Sequence, residues 1–480
     1  MSQEHAADFV SQFVDRREKD FIAVSDAIWD YAEGGFQEFQ SADLICKALE
    51  GYGFAVTRGL AHIPTAFKGV WGSGHPVAGF LGEFDALPGL SQQAGCTCKR
   101  PVEAGAYGHG CGHNLLGAGA LAAAVALKEY LEQTGKPGTV VYFGTPAEEG
   151  GGGKTFMARD GVFGGVDFVY TWHPGSINQM RANHMAATLS KVYEFKGVSA
   201  HAGAAPQLGR SALDSCELMS VGANYLREHV SGEVRMHYAY LDAGGPAPNI
   251  VQDHAAVKYI VRAPYISQVM EAFGRIDKIA EGAALMSGTT VASQTGGAYS
   301  EFTQNVVLAC VLDEALHELG GPEWDEADFA LAKEFADSLS QSEKAAGRAM
   351  IRQRYGADLL EEKLAHPLDT IVGEYTPDKV TNVFGATDVG DVGFVVPTAK
   401  LNVATNALGT QLHTWQMTAQ GKSPIGRKGM LAAGKVMALA ALRVMEDGAL
   451  LAAAREEFLG KNGGVYDCPL PKDAVPPKAI

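Results

Sequence analysis

Between about residues 189 and 294 the chain changes rhythm, and that change limits the folds open to it more than any other feature. The apolar pattern spells a strand over 191–195, a helix over 211–227, strands over 235–241 and 255–261, a helix over 267–287 and a strand over 289–294. A β-α-β-β-α-β order completed in roughly a hundred residues is the split, ferredoxin-like α+β unit. Upstream, Phe9, Phe13, Ile22, Ile28 and Trp29 fall at helical spacing, and Ser41 is expected to cap a helix running to Gly51. Short apolar runs then alternate with helical stretches: 77–81, a long helix over about 115–131, 139–143, a helix near Lys154, and 167–171. That alternation predicts a sheet flanked by helices. The fold class expected is therefore α/β, a mixed-sheet domain flanked by helices with an inserted ferredoxin-like α+β domain. The first domain spans 1–187, the insertion 188–300, and 301–480 returns to the first domain, with a Gly/Ala/Leu-rich helix over 427–447 packed on its sheet.

At 480 residues the chain is long enough for two cores and a large site between or beside them. The formal charge of −16, with no long Lys/Arg run, argues against a nucleic-acid partner. It does not exclude an anionic substrate, because bound cations and one Arg reverse the local field. Seven cysteines without dense spacing predict reduced thiols. No signal peptide and no membrane span is read from the sequence, so a cytoplasmic location is expected.

Residues of ligand type stand where apolar runs end, and open α/β sheets bind their ligands beyond the carboxyl ends of the strands. Asp85 follows the first run, Glu148-Glu149 the second, and His173 the third. Cys111-Gly112-His113 lies on a Gly-rich loop entering the long helix, where the dipole favours a thiolate. Each segment alone has a bland reading: a structural Cys beside a capping His, a solvated turn, a satisfied strand-end His. Four glycines, 150–153, directly after paired carboxylates suit a backbone crowding a ligand better than a surface turn. The coincidence of all the segments points to a metal site.

Taken together, Cys111-Gly112-His113, Pro146-Ala147-Glu148-Glu149-Gly150, His173-Pro174, Ala200-His201-Ala202 and Leu412-His413 resemble the aminoacylase and carboxypeptidase G-like family of di-metal amidohydrolases. The likeness is to the branch with a cysteine ligand and covers nearly the whole chain. Residues 108–117 (GHGCGHNLLG), 87–96, 152–157 and 410–415 are similar to its aminobenzoyl-glutamate hydrolase branch, of the B-subunit type. This resemblance implies that the mixed-sheet domain is catalytic, that the insertion is a lid or dimerisation domain, and that each subunit holds two divalent metal ions, manganese or zinc. Cys111 would be shared between them, with Glu149 and His413 completing one site and His113 and His173 the other. It also implies Glu148 as the general base, Asp85 as a carboxylate behind the ligands, His201 as a group that polarises the scissile carbonyl in a neighbouring subunit, and Asn249 and Arg262 as contacts to a substrate carboxylate. For Asp85 a turn-capping role, and for Arg262 a strand-end surface charge, are the rival readings. Where many relatives have Asp after Cys-Gly-His and another His two places on, this chain has Asn114 and Leu116. The acidic pair Asp388 and Asp391 stands outside the expected ligand set.

The implied reaction is hydrolysis of an N-acyl amino acid, with p-aminobenzoyl-glutamate, a folate fragment, leading over a dipeptide or another aromatic acyl-amino acid. The implied assembly is a homodimer, with a hetero-oligomer containing a homologous A-type subunit as the alternative. A catalytically silent partner subunit is the rival from another class, and an intact set of ligands and base argues against it. A closed structural zinc site is a further rival. Donors spread over three hundred residues beside a spare Glu148 suit an open catalytic site better.

Overall fold

The computed structural model describes residues 3–479, so the outermost ends of the expected domain ranges lie outside it. Its main sheet has six strands in the spatial order Ala55–Arg58, Phe67–Ser73, Gly138–Gly144, Val77–Gly82, Phe168–Gly175 and Thr398–Ala404. The last four run parallel to one another and the first two are antiparallel, which makes the sheet mixed. Val77–Gly82 and Gly138–Gly144 are buried along their whole length, the pattern of strands covered on both faces.

Helices His113–Thr134 and Pro424–Glu446 pack on this sheet and against each other. Their Ala and Gly content sets the close approach. A Cβ added at Gly434 would meet the Ala122 Cβ at 2.9 Å, so the crossing has no room for even a methyl group without a shift. The core so formed includes Leu121, Tyr142, Trp172 and Leu401.

The second sheet has the order Thr290–Tyr299, Ala187–Lys196, His254–Ala263 and Arg235–Asp242, every neighbour antiparallel. Helices Ala212–Leu226 and Ile266–Ser287 cover one face. In chain order the four strands occupy positions two, four, three and one, which is the ferredoxin-like arrangement. Residues 255, 257, 259, 261 and 263 are buried while their neighbours are not, as a sheet with one covered face requires.

Local details depart from the sequence expectation. The first-domain helix read as capped by Ser41 begins earlier, at Phe39–Gly51. Ser41 lies inside its first turn, where its hydroxyl donates to Glu33 at 2.8 Å, and the Glu33 carboxylate accepts from the backbone N–H of Gln40 and Ser41. A carboxylate from the preceding turn therefore does the capping that a local Ser was expected to do. The strands Phe67–Ser73 and Thr398–Ala404 were not marked by the sequence rhythm, and the second carries residues important to the site.

Candidate active site

Four parallel strands ending on one edge bring their following loops together. Glu83 and Asp85 follow Val77–Gly82, Glu148 and Glu149 follow Gly138–Gly144, and His173 stands near the end of Phe168–Gly175. The register pairs His173 with Asn402 on the neighbouring strand, whose side-chain amide donates to the His173 carbonyl at 3.3 Å. Cys111 and His113 enter from the start of the long helix, whose N-cap Gly112 has φ 78°; a Cβ there would also strike Met417. His413 comes from a loop 300 residues away. Its backbone N–H donates to the Gly110 carbonyl at 2.7 Å, which ties it to the Cys111 loop.

Both Ala147 (φ 56°) and His413 (φ 60°) hold left-handed backbone that non-glycine residues rarely adopt. Local strain of this kind persists where surrounding structure fixes it, and it flanks the donor cluster on two sides.

The donor atoms fall into groups, each within 4.8 Å of one another: Cys111, His113 and His173; Cys111, Glu149 and His413; and Glu83, His113 and Glu148. Cys111 Sγ lies 3.5 Å from His173 Nε2. His413 Nε2 lies 3.1 Å from Glu149 Oε1, without the alignment of a hydrogen bond. His113 Nε2 is 3.3 Å from Glu83 and 4.0 Å from Glu148.

The imidazoles are oriented from behind. His113 Nδ1 donates to Asp85 at 2.7 Å, and His173 Nδ1 donates to the Pro174 carbonyl at 2.8 Å, so both turn Nε2 toward Cys111. The other Asp85 oxygen accepts from the Glu149 N–H at 2.8 Å. The turn-capping and ligand-orienting readings of Asp85 are thus both served by one buried carboxylate.

Electrostatics define what the cluster lacks. Burial raises Glu148 well above the usual carboxylate range, and the charges of Glu83, Glu149 and Asp388 add to it. Burial and then Glu149 push the Cys111 thiol up, so the helix dipole alone does not make a thiolate here. Burial depresses His173 to about 3, which keeps it neutral. His113 Nε2 and Glu149 Oε1 are buried with no hydrogen-bond partner among the described residues. Orphaned lone pairs, a neutral imidazole and crowded carboxylates fit divalent cations in both groups that share Cys111. His413 is 53% exposed, so the cluster opens to solvent on its side as a catalytic site requires and a closed structural one does not.

Sequence reasoning missed the layer beneath. Lys154, fully buried, pairs with Glu83 at 2.8 Å and with Asp388 at 2.6 Å. Asp388 also accepts from the Lys154 N–H, while Asp391 accepts from Ser300, Thr155 and Tyr466. The acidic segment left unplaced by sequence is therefore a brace for the helix Gly153–Arg159, which starts at the last of the four glycines. Glu83 had one readable signal: two residues before Asp85 on an extended segment, it shares that residue's side of the chain.

Three expected residues lie on the lid and join the donor cluster through no hydrogen bond among the described residues. His201 and Ile250 form a bridge, and the Asn249 carbonyl accepts from Ala202 N–H. His201 and Asn249 are exposed. Arg262 donates to the Phe384 carbonyl at 3.0 Å, so its guanidinium already has one structural partner.

Mixed sheet, ferredoxin-like lid and donor groups at the strand ends agree with what the chain matches: the Peptidase family M20/M25/M40 profile fits residues 79–347, and the chain belongs to that family, as a metal-dependent amidohydrolase. Among individual relatives, it is 43% identical over 471 residues to the B-type subunit of p-aminobenzoyl-glutamate hydrolase from Escherichia coli strain K12, covering 98% of each chain. It is 29% identical over 458 residues to the Xaa-Arg dipeptidase of Mus musculus, covering 91% of this chain and 88% of that one. The crystal structure of an aminobenzoyl-glutamate utilization protein from Klebsiella pneumoniae shares the fold, with a TM-score of 0.60 over 92% of this chain and 99% of that chain at 17% identity.

Proposed function

We propose that this chain hydrolyses the amide bond of p-aminobenzoyl-glutamate, releasing p-aminobenzoate and glutamate. The observation that carries the reaction type is Glu148, a spare carboxylate beside two donor groups that share Cys111. The full-length likeness to one subunit of a p-aminobenzoyl-glutamate hydrolase supports the substrate.

Cys111, Glu149 and His413 would hold one divalent cation and Cys111, His113 and His173 the other, manganese or zinc. Bound there, the cations would supply positive charge that acidifies water and polarises the amide carbonyl. Glu148 takes a proton from the attacking water and delivers it to the nitrogen of the leaving amine. Its burial among Glu83, Glu149 and Asp388 gives it the proton affinity this shuttle needs. Asp85 holds His113 in the donor tautomer.

His201 contributes from the lid. Its Nδ1 accepts from the N–H groups of Gly203 and Ala204, both at 3.1 Å, which leaves the proton on an outward Nε2. An Nε2–H so presented donates to the carbonyl oxygen as charge builds on it. Asn249 and Arg262 contribute to substrate-carboxylate binding on the same domain. For His201 to reach a site in another subunit, the lid must dimerise. Supporting this, Arg235–Asp242 is an edge strand paired on one side only among the described residues, and Tyr238 and Leu241 on it and Val221 and Tyr225 on helix Ala212–Leu226 are exposed. The E. coli relative is by its name one subunit of a hydrolase, which supports a hetero-oligomer with a homologous second chain as the alternative. Free thiols at all seven cysteines suit the cytoplasm, and among the described residues no helix is long and apolar enough to cross a membrane.

Steady-state kinetics with acyl-glutamate, acyl-aspartate and dipeptide substrates test the reading, together with Glu148→Ala. The variant is expected to retain metal and lose nearly all turnover. A dipeptide preference, or an active Glu148→Ala enzyme with bound metal, overturns it.

A further inference from the structure

Beside the donor cluster lies a group of cations with no anion to answer them among the described residues. Lys400 is on the strand Thr398–Ala404, two residues before Asn402 and on the same face, next to the strand that bears His173. Its buried ammonium finds the Met185 thioether at 3.3 Å and the Phe302 ring at 5.5 Å. Gln304 ties Lys400 to Arg181: its amide donates to both backbone carbonyls, at 2.9 and 3.2 Å, and accepts from the Lys400 N–H. Arg181 in turn feels the charge of Arg354, at the end of helix Gln341–Tyr355, and the hydroxyl of Tyr355.

Arg181 Nε, Arg354 Nη1 and Tyr355 Oη are all buried without a hydrogen-bond partner among the described residues. The nearby carboxylate, Asp369, is already committed to Lys363 and to the backbone N–H of Asn178 and Ile371. Burial, then the Arg354 charge, drives Arg181 well below the usual guanidinium range, and burial lowers Arg354 to about 10. Buried polar atoms of charged groups are ordinarily paired, and two neighbouring guanidiniums that each keep a buried, unpartnered nitrogen are an anion site in form. On the other side, Lys400 pairs in register with Thr171, two residues before His173, which places it beside the reaction centre.

We propose that Arg181, Arg354 and the Tyr355 hydroxyl, with Lys400 at the inner end, form a pocket for the side-chain carboxylate of the amino acid that the enzyme releases. This rests on the amidohydrolase reading above and makes it specific: the pocket accepts a glutamate and rejects the cationic side chain of an arginyl dipeptide. The lid residues Asn249 and Arg262 are left for the α-carboxylate.

The test compares the acyl-glutamate and acyl-glutamine pair on the full-length, metal-loaded enzyme, as wild type, Arg181→Met, Arg354→Met and Tyr355→Phe. Each arginine variant is expected to raise KM for acyl-glutamate by roughly 10- to 100-fold, the value of a charge-assisted hydrogen bond, with kcat little changed. Acyl-glutamine should shift by less than about 3-fold, since it has no charge to lose. Calorimetry with glutarate on the chelated wild type should show binding that both arginine variants abolish. Arginine variants that keep the wild-type glutamate-over-glutamine ratio overturn the pocket and leave the hydrolase reading intact. Glutarate binding that depends on Arg181 and Arg354, in a chain that cleaves no acyl-glutamate, overturns the hydrolase reading and leaves the pocket. Should an arginine variant fail to fold, Tyr355→Phe decides by the same ratio, since it removes a single hydroxyl.

Discussion

Replacing Lys154 with Met probes the brace under the site. The ammonium is fully buried between Glu83 at 2.8 Å and Asp388 at 2.6 Å, both also buried. Removing one partner of a buried ion pair strands the remaining charge, at a cost of about 3–5 kcal/mol. Lys154 serves two carboxylates, so the upper half of that range is expected, eased where Asp388 takes up a proton, because burial already lifts it to about 7. An unfolding entropy of roughly 2.1 cal/mol/K per residue gives this chain about 1 kcal/mol/K, so the midpoint should fall by about 3–5 °C. Scanning calorimetry on chelated protein reads that shift. Lys154→Met/Asp388→Leu, which removes one of the two stranded carboxylates and leaves Glu83, should recover part of it. A single variant with an unchanged midpoint, or a double variant less stable than the sum of the two single changes, refutes the brace.

Asp85→Asn presents one carbonyl oxygen where two N–H donors, His113 and Glu149, now share a carboxylate. Metal affinity should drop about 10- to 100-fold, read by competition with a chelator, and an unchanged affinity removes Asp85 from the orienting role. Glu38 is lifted from 4.5 to about 8 by burial and then by the Asp85 charge, so the folded chain holds a proton between those values that the unfolded chain gives up. Stability of the chelated protein is therefore greatest at the acid end of that window and falls as pH rises through it. Denaturant unfolding at pH 5 and pH 8 should show this slope flattened in Glu38→Gln, and an equal slope in both proteins counts against it. On the lid, Tyr225 is 73% exposed beside the edge strand. Tyr225→Glu should convert the proposed dimer to monomers in sedimentation analysis, and a mass equal to that of the wild type counts against this interface.

The lid was legible because each of its elements declares itself locally: residues 255 to 263 alternate, and Ser211 caps its helix through its own side chain. The donor residues were legible for a different reason, since they stand at the ends of strands where turns and glycines are concentrated. Lys154 was not. A lysine after four glycines looks like a solvated helix start, and only the return of Asp388, more than two hundred residues later, makes burial tolerable. Arg181 and Arg354 were hidden in the same way, because an arginine in an irregular segment, as Arg181 is, or in the last turn of a helix, as Arg354 is, has no local signature of what lies near it. The Ser41 expectation failed since a longer side chain two turns earlier, Glu33, reaches the same N–H groups.

The sixth strand of the main sheet, Thr398–Ala404, hydrogen-bonds along Phe168–Gly175 but is synthesised more than two hundred residues after it. A nascent chain therefore carries an open, apolar β-edge throughout translation of the lid, and any product truncated before residue 398 keeps it. Such fragments should be sticky, seeking strands from other chains, and the full-length protein escapes that fate only when its closing strand leaves the ribosome.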